Sequence, residues 1–272
     1  MSQGLHRKIA MPEFAVDLDY DLEEDKDFMV SRARNDRFFV RRAEEAVIEA
    51  CAEGEPGRVL DVGCGLALQL ARFYHLGWEA WGLEPSQEML NSASAMTRKR
   101  KERVALTRGI AERLPFRDSV FDRVICKGSL DHFASPQAFI REVSRVLKPE
   151  GRAIIALTNY RSLSSHFGRT SAAVRHSLGF PEAPPHFRYW EPPPTHTFKG
   201  NYQFVRRLGG PWLEMERCFG VSLLWAVPRW SWLLERLPYP LACAALRTLD
   251  RIAYRLPALA DMIISTWKPQ RQ

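Results

Sequence analysis

No run of eighteen apolar residues occurs in the 272-residue chain, which argues against an ordinary membrane-spanning helix. Arg7 and Lys8 are not followed by an apolar stretch, so no secretory leader is visible and a cytoplasmic location is expected. The five cysteines (Cys51, Cys64, Cys126, Cys218 and Cys243) are odd in number, and none stands in a Cys-x-x-Cys pair. That usage fits reduced thiols and speaks against structural zinc or a disulfide framework. Focused basic charge is also missing: the net charge is +7, yet Arg98-Lys-Arg-Lys101 is the one dense basic run. It falls late in an expected helix, where a solvated face is the plainer reading, so no nucleic-acid partner is expected. His166, His176, His186 and His196 lack metal-ligand spacing, so they read as ordinary surface histidines and no metal site is expected.

What is present is a chain 46% apolar and 26% charged, long enough to bury a sizeable core. Its organising stretch is residues 58–84. Val59, Leu60 and Val62 suit a strand buried on both faces; Gly63 and Gly65 follow, then Leu66, Leu68, Leu70, Phe73 and Tyr74 at helix-like spacing. A strand turning on glycines into a helix leaves backbone N–H groups and a positive helix end facing a ligand. A second strand over 79–83 ends in Glu84, twenty-one positions after Gly63, a spacing that suits a carboxylate on ribose hydroxyls. A nicotinamide-type turn would place a third glycine at Leu68, and the Asp-x-Gly-x-Gly-x-Gly form would place one at Ala67. Neither pattern is complete, so a tight turn without a ligand stays open at this level.

In chain order, an acidic leader over 17–27 precedes a helix expected over 28–52, with Phe38, Phe39, Ala43, Ala46, Val47 and Ala50 on its inner side. After the second strand, Pro85 and Ser86 suit a helix entrance. A short edge strand is expected over 104–108, a loop over 110–116, a fourth strand over 121–126, a helix over 135–147 and a fifth strand over 152–158. Alternating strands and helices argue for an α/β, doubly wound, Rossmann-like sheet.

Asp61-Val-Gly-Cys-Gly65, Glu84-Pro-Ser86, Ala111-Glu-Arg-Leu-Pro-Phe116, Ser119-Val-Phe-Asp122 and Arg145-Val-Leu-Lys-Pro-Glu-Gly151 follow one another at family spacings. Together, over residues 58–159, they resemble the class I S-adenosylmethionine-dependent methyltransferases, in the branch of quinone and small-molecule methylases. The resemblance implies S-adenosyl-L-methionine as cofactor. It also implies a binding set of Asp61, Gly63, Gly65, Glu84, Pro85, Ile110, Ala111, Glu112 and Lys127. In that set the glycines meet the methionine part, Glu84 holds the ribose, residues 110–112 border the adenine, and residues 126–129 lie near the transferred methyl. Ala67 departs from the family's glycine. Ile110 stands where many relatives carry an aspartate, which leaves adenine to apolar packing and backbone N–H groups. Asp131 and His132 follow the fourth strand at the carboxyl edge and are the candidate base residues. A capping Asp131 and a pocket-lining His132 are the bland alternatives.

Past residue 159 the resemblance thins. Residues 161–198, rich in proline and aromatics, read as a lid loop. A helix is expected over 199–213, a sixth strand over 217–227 and a seventh, antiparallel, over 260–267. Between the last two lies an insertion, 228–259, whose helix shows Leu241, Ala245, Leu249, Ile252 and Leu256 on one face. This insertion reads as extra core, a homodimer contact, or a peripheral membrane or greasy-substrate surface. The expected organisation is an N-terminal helical cap over 1–57, a cofactor-binding core over 58–160, the lid, and a sheet-completing part over 199–272. The expected activity is methyl transfer to a small, apolar or lipid-like acceptor. A nucleic-acid methyltransferase and a non-catalytic cofactor-binding or membrane-associated protein are the alternatives.

Overall fold

The computed structural model describes the backbone of residues 8–11 and 14–17, and residues 33–181, 188–192, 196–227 and 229–270 in full. Most of the acidic leader, positions 28–32 of the first expected helix, and the lid residues His186 and Phe187 lie outside the described residues. β1 (Lys8–Met11) and β2 (Phe14–Asp17) pair antiparallel as a hairpin, where the sequence reading expected only helix. Two four-residue segments two positions apart have hairpin spacing, and nothing in them repeats at helical period.

The main sheet has seven strands: β3 (Arg58–Val62), β4 (Glu79–Glu84), β5 (Val104–Arg108), β6 (Phe121–Lys127), β7 (Leu147–Thr158), β8 (Leu213–Val221) and β9 (Met262–Pro269). Their order is β5-β4-β3-β6-β7-β9-β8. The first five run parallel, and β9 is antiparallel to both neighbours, as expected for the last strand. Alternation within each strand sends apolar side chains to both faces. Leu60, Val62, Val124, Cys126, Ile155 and Leu157 join one cluster, while Val59, Ile125, Ile154 and Ala156 join another.

The first cluster is closed by α4 (Pro136–Val146), through Phe139, Ile140 and Val143, and by α6 (Tyr202–Leu208), through Val205 and Leu208. The second is closed by α1 (Arg34–Cys51), α2 (Leu68–His75) and α3 (Gln87–Lys99). Fully buried Phe73 and Phe139 each contribute on the order of 1.5–3 kcal/mol. α1 is tied to the sheet by the Arg123 guanidinium, which donates to the Cys51 and Glu53 carbonyls.

Several expected boundaries move. β7 begins at Leu147, so Lys148-Pro149-Glu150-Gly151 belongs to the strand, opposite an irregularity in β6. Within the expected lid loop, residues 163–177 form a helix, α5 (Leu163–Ser177), started by Ser162 accepting from the Ser165 N–H. Its buried face is Ser164, Ser165 and Gly168, while Phe167 and Val174 are exposed, so apolar periodicity carries no trace of it. The insertion holds two helices, α7 (Trp230–Arg236) and α8 (Tyr239–Arg255). On α8 the buried positions are Ala242, Leu246 and Ala253, with Leu249 packed beside Ala253, and Leu241, Ile252 and Leu256 are exposed. The expected inner face is therefore rotated by one residue from the observed one.

Candidate functional site

The carboxyl ends of β3, β4, β6 and β7 share one edge of the parallel sheet, flanking the point where strand order reverses, the usual ligand crevice of this architecture. β3 leaves the sheet through Gly63 (φ 75°) and Gly65 (φ 50°), both in the left-handed region that glycine enters without cost. At Gly63 space is the second requirement. A Cβ there would lie 2.5 Å from Ser129, whose hydroxyl donates to the Gly63 carbonyl at 3.0 Å. Ala67, also left-handed at φ 57° and almost wholly buried, stands in the same region with a methyl group, at a cost of about 1–2 kcal/mol.

The turn's first amides are answered from within. The Leu83 carbonyl accepts from Gly63 N at 2.8 Å and Cys64 N at 3.1 Å, and Glu84 Oε2 accepts from Gly65 N at 3.0 Å. These three N–H groups therefore fix the turn to β4 instead of facing a ligand as expected. Glu84 Oε1 accepts from Ser86 N at 3.0 Å. These two bonds hold the plane of its carboxylate at the end of β4. Asp61, buried at the end of β3, has its pKa pushed up to about 7 by burial; Lys127 opposes that shift and Glu84 adds to it. Two buried carboxylates with little opposing charge suit a cationic ligand. The sulfonium and ammonium of S-adenosylmethionine fit that need.

Pro85 is half-buried, and its carbonyl accepts from Arg108. Ile110 and Ala111 are buried behind β5. Glu112 is also buried, but its carboxylate accepts from Ala134 N at 2.7 Å and Ser135 N at 3.2 Å. Its side chain clamps the loop ahead of α4.

Beyond β6, Leu130–His132 forms a single 3-10 turn that buries Asp131. Asp131 Oδ2 lies 3.0 Å from Nδ1 of His196, and the Tyr160 hydroxyl lies 2.9 Å from the same nitrogen. The His132 and His196 rings meet edge to face, 4.5 Å apart. Thr197 secures the pairing, donating from N and Oγ1 to the Asp131 carbonyl at 2.7 and 2.9 Å. Asp131 Oδ1 is buried with no hydrogen-bond partner among the described residues. One carboxylate oxygen and two ring nitrogens of Asp131, His132 and His196 thus lie within 4.8 Å of one another, a donor set that could hold a metal ion. The reading of His196 as an ordinary surface histidine is corrected: its side chain is only 12% exposed. No local signal could have found it, since its partner is 65 positions away in the sequence.

Residues 60–155 match the methyltransferase domain family. The chain is 36% identical over 99 residues to the uncharacterized methyltransferase YcgJ of Bacillus subtilis, covering 36% of this chain and 39% of that protein. It is 26% identical over 221 residues to an uncharacterized methyltransferase of Mycolicibacterium vanbaalenii, covering 78% and 85%. The chain thus spans less than half the length of some curated relatives it matches. The solved structure of a SAM-dependent methyltransferase from Aquifex aeolicus shares the fold, with a TM-score of 0.54 at 15% identity over 92% of this chain and 99% of that one. Motif order, sheet order and these matches agree: residues 60–155 form a methyltransferase domain of the class I, S-adenosylmethionine-dependent kind.

Proposed function

We propose that the chain methylates a small, apolar acceptor at an atom that carries a proton, and that the Asp131–His196 pair takes that proton. The bound cofactor supplies a methyl group already activated by its sulfonium. Glu84, Asp61 and the glycine turn hold that cofactor, while Ile110 and Ala111 offer apolar surface to its adenine. The protein's remaining task is to place the acceptor and receive its proton. With Nδ1–H donated toward Asp131, the His196 lone pair resides on Nε2, and the carboxylate stabilises the imidazolium that forms. His132, in edge contact with the His196 ring, lines the same corner. The observation that carries this reading is the 3.0 Å Asp131–His196 contact beside the carboxyl edge of β6. An apolar acceptor is favoured over nucleic acid because the one dense basic run, Arg98-Lys-Arg-Lys101, is a solvent-exposed segment at the C-terminal end of α3.

The test is transfer of labelled methyl from the cofactor into a small-molecule extract by the intact protein, His196→Gln and Asp131→Asn. Product formation that falls about a hundredfold or more in both variants, at unchanged cofactor affinity, is expected. Full activity in His196→Gln removes the pair from the mechanism.

A second reading is favoured by the unsatisfied Asp131 Oδ1: the same three side chains hold a divalent d-block cation that binds the acceptor oxygen. Activity lost to a chelator and restored by Zn²⁺ or Mn²⁺ selects this reading; chelator-resistant activity selects the first.

A further inference from the structure

We propose that the outer face of residues 229–259 docks on an anionic lipid surface, lying on the bilayer without crossing it. At 100° per residue, α8 carries three adjoining arcs. Ala242, Leu246, Leu249 and Ala253 form the arc that packs on the domain. Beside it lie Leu241, Ile252 and Leu256, exposed by 58%, 42% and 47%. On the next arc stand Arg247, Arg251 and Arg255, four residues apart and all exposed. The apolar arc of this helix is thus about twice as wide as the domain covers, and its open half is edged by a row of arginines. That arrangement suits a helix lying in a lipid interface.

The rest of the insertion repeats the pattern. Trp232 and Tyr239 are more than half exposed, and the Arg236 guanidinium sits 3.6 Å above the Trp232 ring. Indole and phenol rings beside arginine are the side chains that settle at headgroup level.

Charge selects the occupant. Residues 229–259 contain five arginines and two acids, Glu235 and Asp250. Both acids are already paired with arginines of α1: Glu235 with Arg34 at 3.1 Å, and Asp250 with Arg42 at 2.9 Å, Asp250 also accepting from Ser222 N. No ion pair among the described residues involves any of the five arginines. A second copy of the chain would set like charges against each other, whereas an anionic headgroup layer complements them. No helix of the described residues is long and apolar enough to cross a membrane, so the attachment is peripheral. This inference does not depend on the Asp131–His196 assignment.

The intact chain is mixed with vesicles of phosphatidylserine and phosphatidylcholine, or of phosphatidylcholine alone, and binding is read by co-sedimentation. Two variants are compared, Arg247→Glu/Arg251→Glu/Arg255→Glu and Trp232→Ser/Leu241→Ser/Ile252→Ser. All substituted residues are solvent-exposed, and unchanged thermal midpoint and cofactor affinity confirm the fold. Binding to anionic vesicles that weakens by about a hundredfold or more in each variant, and that falls with salt, is the expected result. Equal partition of the intact chain and both variants overturns the proposal, and so does no partition of the intact chain. A dimer in the intact chain that the variants abolish, without vesicle binding, assigns the face to a second copy and also overturns it.

Discussion

Around the glycine turn, polar groups are answered from within. The Leu83 carbonyl takes two amides, Glu84 takes two more, and the Ser129 hydroxyl fills the space a side chain at Gly63 would need. In α8 the single acid, Asp250, is answered as well, by Arg42 and Ser222 N, but an arc of leucine and isoleucine and a row of arginines are left facing out. The first region is closed by its own contacts; the second is closed toward the domain and open along its length. Closure has a mechanical meaning. Where every neighbour is already in contact, one added or removed atom is felt by the strand, the turn and the carboxylate together. Where a face is open, a substitution alters what the protein meets and leaves its fold alone.

The largest effect belongs to Gly63→Val. It places a branched side chain at φ 75° and against Ser129, and should destabilise by about 3 kcal/mol or more and abolish cofactor binding. Denaturant unfolding and calorimetry with S-adenosylmethionine check it, and a variant of normal midpoint would break the account of the turn. Gly65→Val should also lose the cofactor but cost less stability, because the nearest atom to a Cβ there is Met89 Cε at 3.4 Å, the end of a flexible chain. Removing the carboxylate in Glu84→Ala leaves the Gly65 and Ser86 amides without their acceptor, with an expected loss of about 1.5–3 kcal/mol and a ten- to hundredfold weaker cofactor.

pH acts on the same region with a definite sign. Burial raises Asp61 to about 7 and Asp261 to about 6, so the folded chain binds more protons than the unfolded chain between pH about 4 and about 7. Stability conferred by the protonated forms is therefore lost as pH rises through that window. Asp122 and Glu142 are shifted downward, and their contribution is already complete above it. Ligand-free protein should be less stable at pH 7.5 than at pH 5.5 by roughly 2 kcal/mol, and bound cofactor should narrow the gap by bringing positive charge to Asp61. Matched urea titrations at the two pH values give the answer; a gap of the opposite sign would sink the assignment of Asp61 as the uncompensated group.

Smaller still is Ala67→Gly, which relieves a left-handed alanine and should stabilise by up to about 1 kcal/mol, read as a rise in thermal midpoint. The pair Ile252→Ser and Leu246→Ala sharpens the contrast on one helix. The exposed change should stay within about 0.5 kcal/mol. The buried one should cost about 2–5 kcal/mol.

Much of the sheet could be read in advance because its signals are local. Val59 to Val62, Val124 to Cys126 and Ile154 to Leu157 alternate between two buried faces, and Glu84 sits at a fixed distance from the glycines. α5 was illegible because its inner face is built of Ser164, Ser165 and Gly168, whose burial is bought by hydrogen bonds and close approach instead of hydrophobicity. The facing of α8 was misread for the opposite reason. Apolar residues occupy two adjoining arcs, and periodicity cannot say which of them the domain covers. Asp131 and His132 were legible as candidates from their place after a strand, whereas His196 reaches them through tertiary structure alone. The pattern of motifs likewise placed Glu112 near the cofactor but could not show that its carboxylate clamps residues 134 and 135.

β9 lies between β7 and β8, although the chain is made in the order β7, β8, β9. On the ribosome, then, the outer edge of β7 emerges with no strand to pair with, and β8 has no neighbour in the sheet until residues 262–269 follow. About a hundred residues separate the end of β7 from the start of β9, which at 5–20 residues per second is a wait of roughly 5–20 s. For that interval Ile154, Ile155 and Leu157 stand on an unpaired strand edge. Slow translation over residues 159–261 should therefore favour aggregation of the nascent chain, and shielding by a chaperone should matter most in that window.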